Sequence, residues 1–219
     1  MGMFNRKNNA TSSVPAAPSG GVGTLEAPVF DAATSAVADV SGDYNLDVTH
    51  TRIGFSARHA MVTTVRGQFN DFTGTARIDL ANPTASSAQI TIQTASIGTG
   101  NEDRDGHLRS GDFFDAETFP EIVFNTTAVS RKNADAFTLL GDLTIKDVSR
   151  PVSIDFDLTG SARDPFGNLR VGFEGGATIN RKDWGLTWNA ALETGGVLVS
   201  DKIKLEFDVS AIAVPGEQA

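Results

Sequence analysis

The sequence contains no cysteine, and this absence excludes disulfides, thiolate metal ligands and cysteine nucleophiles. Histidine is scarce as well, with only His50, His59 and His107, which disfavours a catalytic zinc site. Basic residues are fewer than acidic ones, 18 against 27, so the formal net charge is −9. That balance disfavours nucleic acid as a partner, and it also disfavours binding to anionic membrane surfaces.

Long apolar runs are missing too. None approaches the roughly 20 residues of a membrane-spanning helix, so stable membrane insertion is not expected. Arg6 and Lys7 are followed by polar residues at 8–13, where a secretion signal requires a continuous apolar stretch. We therefore expect a cytoplasmic protein.

Common catalytic motifs are also absent from the sequence. Ser110 cannot sit in a Gly-x-Ser-x-Gly elbow, because Leu108 occupies the place of the first glycine. There is no phosphate-binding glycine loop and no His-Glu-x-x-His pair. Asp155 and Asp157 stand two apart on a predicted strand and so share its polar, solvated face. We predict no catalytic residue and no enzyme.

The sequence does contain segments in which apolar and polar residues alternate strictly, at 72–80, 152–158 and 203–209. Side chains on a strand point alternately to opposite faces, so each segment has one apolar and one polar face. About eight such strands, separated by turn residues, predict an all-β fold: an antiparallel up-and-down barrel around an apolar interior. The function is then expected to lie in what fills that interior.

One segment, near 100–119, breaks the period of two. Leu108, Phe113, Phe114 and Phe119 make it too apolar for a solvated loop. We predict a short helical segment packed against one mouth of the barrel, either as a plug completing the core or as a lid over a ligand.

The domain organisation follows from composition. Residues 1–42 are rich in Ala, Ser, Thr, Pro and Gly without a sustained period, which predicts a disordered N-terminal tail. Residues 43–214 form the predicted barrel domain, and 215–219 a short C-terminal tail. Within the barrel, the sequence Asn-Arg-Lys-Asp at 180–183 is typical of a turn with a local ion pair.

Four stretches of the barrel stand in a specific order and spacing. They are DVTHTRIGF at 47–55 continuing to VRGQF at 65–69, RDGHLRS at 104–110 continuing to FP at 119–120, GDLTIKDVSRPV at 141–152, and INRKDWGL at 179–186. Together they resemble the YceI-like family of lipid-binding or polyisoprenoid-binding domains, and the resemblance covers roughly 42–213.

This resemblance implies an extended, lipocalin-like barrel that holds a long isoprenoid chain, such as that of a quinone or a prenyl phosphate, without catalysis. The partner is then an isoprenoid-type lipid, and no cofactor is expected apart from such a bound lipid. Association of two copies as a homodimer is also compatible with the family.

The candidate ligand-binding residues are mostly aromatic or aliphatic, and each of them has the alternative of only packing in a solid core. His59 and His107 are the polar exceptions and are predicted to hydrogen-bond a quinone carbonyl or a phosphate. The full set is Phe55, His59, Phe69, Phe72, Ile78, Ile92, His107, Leu108, Phe113, Phe114, Phe124, Leu143, Phe156, Phe173 and Trp184.

Two other functions are also compatible with the sequence. One is an enzyme acting on a lipid or quinone in the barrel, for which His59 would need an acidic neighbour in the pocket. The other is a stress-related protein-interaction module with a solid barrel.

The sequence also partly matches the ligand spacing of a calcium-binding loop. Asn101, Asp103 and Asp105 stand at its first, third and fifth positions and Asp112 at its twelfth. The usual first Asp and final Glu are missing, as is the entering helix pattern. We therefore predict no metal site.

Overall fold

The computed structural model describes residues 40–193 and 195–215, so most of both predicted tails, 1–39 and 216–219, lies outside the described residues. The described chain has eleven strands and one α-helix, α1 (Glu102–Arg109). Short 3₁₀ turns cover Pro83–Ala85, Thr94–Ser96 and Arg181–Trp184. The strands are β1 (Gly42–Leu46), β2 (Arg52–His59), β3 (Thr63–Phe69), β4 (Phe72–Ile78), β5 (Ser87–Gln93), β6 (Ile97–Gly98), β7 (Glu121–Arg131), β8 (Ala136–Ile145), β9 (Val148–Arg163), β10 (Leu169–Asn180) and β11 (Val199–Ala213).

The strands form a closed antiparallel barrel. Eight of them follow one another around the ring in the order β1-β4-β5-β7-β8-β9-β10-β11, and β11 pairs back with β1. The long β11 is shared, because its last residues pair with β1 while Val199–Asp208 pair with β2. Strands β2, β3 and β6 therefore extend the sheet beyond the ring. The predicted all-β, antiparallel barrel with one short helical segment is confirmed.

Strand β9 shows why these segments fold as they do. Val152 and Ile154 are buried, whereas Ser153 and Asp155 between them are exposed. Because the side-chain period of a strand is two, this alternation fixes which face of β9 points into the barrel.

Tight connections gather several loops at one end of the barrel. Lys146 and Asp147 join β8 to β9 with φ values of 51° and 58°, as a two-residue hairpin turn requires. The register places the turn Arg181–Trp184 and the β2–β3 connection at this same end. Helix α1 belongs here too, because the ring of its His107 contacts Trp188 in the β10–β11 connection, and Lys146 Nζ donates to the carbonyl of Phe113 just after the helix at 2.9 Å. We call this the helix end.

The opposite end of the barrel contains a second packed apolar cluster. Val40, Tyr44, Val171 and Ala211 are almost completely buried and contact one another. The Tyr44 hydroxyl donates to the carbonyl of Val40 at 2.8 Å, so even this polar group is satisfied inside the cluster. This cluster borders the cavity at the end away from the helix, where Ile78 and Ala211 also line its wall. Within 40–193 and 195–215, no helix is both long and apolar enough to cross a membrane.

A buried carboxylate anchors the connection between β1 and β2. Asp47 accepts hydrogen bonds from the Thr49 amide and hydroxyl, at 3.1 and 2.7 Å, and from Arg170. Nδ1 of His50 lies 2.7 Å from its second oxygen. Burial alone would raise the pKa of Asp47, but these hydrogen bonds outweigh burial and lower that pKa well below its usual range.

This arrangement predicts a loss of stability in acid. A carboxylate with a depressed folded-state pKa stabilises the fold fully above its unfolded pKa of about 4, and that contribution disappears as pH falls through the folded value. We expect Asp47→Asn to lower the free energy of unfolding by about 2 kcal/mol at pH 7 and to flatten the acid dependence between roughly pH 4 and 2. Urea titrations over this range measure both effects. An unchanged acid slope in the variant would contradict the assignment.

Candidate functional site: an apolar cavity in the barrel

The barrel interior contains a cavity of about 390 Å³. This volume lies within the range of sites that hold small molecules. Phe156, Phe173 and Phe207 line it and are only half-buried, although they belong to inward-facing positions of their strands. They border open space because the side chains across the barrel do not reach them.

The structure brings nearly all the predicted site residues to this cavity. Fourteen of the fifteen line its wall. They are Phe55, His59, Phe69, Ile78, Ile92, His107, Leu108, Phe113, Phe114, Phe124, Leu143, Phe156, Phe173 and Trp184.

Phe72 is the exception, because it does not line the cavity. It is the first residue of β4, stands opposite Ile92 on β5 and is buried in the packed core. Its ring therefore packs in the core and does not border the cavity. The prediction that Phe72 lines the ligand site is corrected.

Three of the lining phenylalanines lie directly against glycines of the neighbouring strand. A Cβ atom added to any of these glycines would come within 2.4 Å of a ring carbon, far inside van der Waals contact. The missing side chain lets each ring lie against the sheet instead of projecting across the lumen. The pairs are Phe55 with Gly67, Phe124 with Gly141, and Phe156 with Gly175.

Helix α1 is fixed to the barrel wall by polar contacts at its start. The side chain of Asn101 accepts from the Arg104 amide at 2.9 Å and so caps the helix. The buried Asp105 carboxylate accepts from the amide of Thr99 at 2.9 Å and from its hydroxyl. Burial raises the pKa of Asp105, but the bonds from Thr99 outweigh it and lower the pKa. Asn101 and Asp105, two positions of the partial calcium-loop spacing, therefore serve instead as the cap of helix α1 and as its anchor to Thr99.

Aromatic rings gather where the helical segment meets the helix end. The His107 ring contacts Phe113 and Trp188 edge-on, with ring centroids 5.0 and 4.6 Å apart. Nε2 of His107 lies 2.8 Å from Oδ2 of Asp112, which orients the imidazole. All three rings line the cavity. Since residues of α1 and of this cluster line the cavity, the helical segment borders open space, and its role as a lid over a ligand stays a prediction.

Comparison with known proteins agrees with this geometry. The model of the YceI-like domain matches residues 44–211. The chain belongs to the YceI-like family. A UPF0312 protein of Yersinia enterocolitica is 37% identical over 166 residues, which cover 75% of this chain and 84% of that protein.

Solved structures give the same result. A YceI protein of Campylobacter jejuni has a TM-score of 0.63 at 28% identity, covering 72% of this chain and 90% of that one. A polyisoprenoid-binding domain from Saccharophagus degradans has a TM-score of 0.60 at 16% identity, covering 78% of this chain and 98% of that one. At that identity the second likeness shows the fold alone.

The charge of the cavity wall differs from that of the YceI-like chain as a whole. The described residues that line the cavity include four arginines and two histidines but no aspartate or glutamate. The chain carries 27 acidic residues, so their absence from this wall is a property of the site. The wall itself therefore carries no acidic side chain, although Arg77 pairs with Asp43 at 3.1 Å and His107 with Asp112 at 2.8 Å just outside it. The charged and basic members are Arg58, His59, Arg77, Arg104, His107 and Arg181.

Arg181 lines the cavity, although the sequence pattern predicts only a turn at this position. It is 5% exposed and donates to the carbonyls of Leu186, Trp188 and Ser200 at 2.6, 2.9 and 3.1 Å. Its Nη2 lies 3.4 Å from Asp201 Oδ1, a longer contact that replaces the predicted local ion pair. The guanidinium thus holds the loop that carries Trp188.

Proposed function

We propose that this YceI-like barrel binds a long apolar isoprenoid-type lipid, a quinone or a prenyl phosphate, and carries or sequesters it without catalysis. The observation that carries the proposal is the apolar cavity, which is free of carboxylates among the described residues of its wall. The likeness to a polyisoprenoid-binding domain supports it.

The energetics favour a long hydrocarbon chain. Each buried methylene contributes about 0.8 kcal/mol, so an isoprenoid of several units has a large gross free energy of transfer. Ordering of the chain and lost association entropy offset much of this gain. The net affinity therefore depends on how well the chain fits the lumen and on what its headgroup contacts.

The helix end offers the headgroup contacts. His59, Arg104 and His107 line the cavity there. Imidazole and guanidinium groups donate hydrogen bonds to a carbonyl or phosphate oxygen, and Arg104 also orders Thr99 by donating to its hydroxyl at 2.7 Å. A quinone or a prenyl phosphate would accept hydrogen bonds from the N–H groups of these side chains that Thr99 and Asp112 do not already engage.

Lipid extraction tests the proposal directly. We expect mass spectrometry of an organic extract of the purified protein to recover an isoprenoid lipid at close to one molecule per chain. Delipidated protein is then titrated with a long-chain ubiquinone and with undecaprenyl phosphate. Absence of an extracted lipid together with no saturable binding of either probe would refute the proposal.

The rival functions are less consistent with the structure. An enzyme using His59 needs an acidic partner in the pocket, and no carboxylate lines the described wall. An interaction module with a solid barrel is contradicted by the cavity of about 390 Å³.

Gly67 controls the width of the lumen in this proposal. A Cβ at this position would meet the Phe55 ring at 2.4 Å and the Thr99 methyl at 2.9 Å, both of them side-chain atoms. We expect Gly67→Ala to push the Phe55 ring into the lumen and to weaken ubiquinone binding about fivefold to tenfold, at a stability cost of about 1–3 kcal/mol. Fluorescence titration and urea unfolding measure the two effects. Wild-type affinity in a folded Gly67→Ala protein would disprove this role.

A further inference from the structure

Apolar side chains are exposed at the connection between β2 and β3. Met61 is 62% and Val62 75% exposed. Ala60 and Met61 adopt positive φ values of 49° and 58°, a turn conformation that favours Asn and Gly. Neither the backbone geometry nor core packing accounts for apolar residues here, so their exposed surface calls for another explanation.

This hairpin tip adjoins the mouth of the cavity. The Ala60 amide donates to the Leu198 carbonyl at 2.7 Å, so the two loops lie side by side. His59 and Leu198 both line the cavity, and His59 is also exposed to solvent. Val197, next to Leu198, is 40% exposed. Met61, Val62 and Val197 therefore form an apolar rim beside the opening, which we call the mouth rim.

The hairpin that carries the mouth rim is basic within an acidic chain. Residues 52–70 contain three arginines and no aspartate or glutamate, while the whole chain has a net charge of −9. Arg58 donates to the carbonyls of Met61 and Val62 at 3.0 and 3.2 Å, which holds a cation directly beneath the tip. Glu206 on β11 lies 4.0 Å from Arg52, away from the tip.

We propose that the mouth rim docks on an anionic phospholipid bilayer and so places the cavity opening at the membrane surface, where cargo is exchanged. This inference rests on the proposed lipid-binding function. The apolar side chains enter the boundary between headgroups and acyl chains, and the hairpin arginines contact anionic headgroups. The overall negative charge repels the same surface, so docking is transient and weakens with added salt.

Vesicle flotation tests the docking. We expect the full-length protein to float with vesicles of phosphatidylcholine and phosphatidylglycerol and much less with phosphatidylcholine alone. The double variant Met61→Ser with Val62→Ser is expected to bind the anionic vesicles about tenfold less. Both side chains are exposed, so the substitutions leave the barrel core untouched.

A matched control lies at the opposite end of the barrel. Phe166, in the β9–β10 connection, is 89% exposed, and Phe166→Ser is expected to float like wild type. The inference is overturned if the double variant floats unchanged, if Phe166→Ser has the larger effect, or if wild-type protein does not bind anionic vesicles. It is also overturned if the double substitution disrupts a dimer, because the rim would then be a contact between copies.

Cargo measurements separate this inference from the proposed function. We expect the double variant to retain wild-type amounts of extractable lipid in solution but to move ubiquinone between vesicles about tenfold more slowly. Equal transfer rates would refute the docking role while leaving lipid binding intact. Vesicle binding by a protein that yields no lipid and binds no ubiquinone would refute the proposed function instead.

Discussion

Leu205→Trp is expected to abolish lipid retention while the barrel still folds. Leu205 lies near the middle of β11, opposite Phe55 on β2 and Ala177 on β10, and its side chain lines the cavity. The larger indole fills the lumen that a hydrocarbon chain would occupy. Because the added volume enters open space, we expect a stability change within about 1 kcal/mol, less than overpacking of a solid core costs. Affinity for a long-chain ubiquinone should fall at least tenfold, since the buried chain length is cut.

The neighbouring Lys204 provides the control for this experiment. It is exposed on the outer face of the same strand, so Lys204→Trp adds an indole without narrowing the lumen. Extracted lipid per chain and ubiquinone titration are measured for both variants beside their circular dichroism spectra. If folded Leu205→Trp protein retained lipid at the wild-type level, the cargo could not lie in this cavity.

Arg181→Met is expected to lower the free energy of unfolding by about 3–5 kcal/mol. The buried guanidinium is the donor to the carbonyls of Leu186, Trp188 and Ser200, and methionine cannot replace these hydrogen bonds. Unsatisfied buried carbonyls cost about 1–3 kcal/mol each, moderated where water enters. Burial lowers the pKa of Arg181, yet its many carbonyl acceptors suit only the protonated form.

Urea unfolding with Lys182→Met as the control distinguishes this role from a general effect of charge. Lys182 is exposed and pairs with Asp201 at 2.9 Å, so its removal should cost about 1 kcal/mol or less. Arg181→Lys should retain the charge but lose the fork of donors, and we expect an intermediate stability. Equal stabilities of the Arg181→Met and Lys182→Met proteins would show that the carbonyl contacts contribute little.

The alternating segments allowed the fold class to be predicted. In β4, β9 and β11 the apolar positions recur at every second residue, and a period of two is compatible with a half-buried strand but not with a helix. The candidate set, drawn from aromatic and aliphatic residues and from the family resemblance, contained fourteen residues of the cavity wall, but it missed others such as Ile53, Leu205 and Val209. Helix α1 was found from the break in the period and from its aromatic neighbours.

The pairing of strands that closes the barrel could not be predicted from the alternation of apolar and polar residues. β11 is fifteen residues long and pairs with β1 at one end and β2 at the other. Nothing local to β11 distinguishes these two halves, since the partners are separated from it by most of the chain. The alternating pattern therefore predicted β2 and β3 only as further strands of one barrel, and it did not predict the two-residue β6.

Phe72 and Arg181 show the same limit at single positions. Phe72 occupies a strand position like that of Phe156, but it is only 5% exposed and does not line the cavity. Arg181 follows a strand in a polar stretch that is typical of a solvated turn, and only the fold brings three carbonyl groups around it.

The sequence by itself determined that this chain forms an antiparallel barrel with an apolar interior, because alternation is a local property of each strand. Only the tertiary structure decided which phenylalanines border open space, which strands close the ring and which basic side chains line the cavity. These features depend on residues that stand opposite one another across the barrel, and such neighbours are far apart along the chain. The separation of acidic residues from the cavity wall is likewise visible only once the strands are assembled.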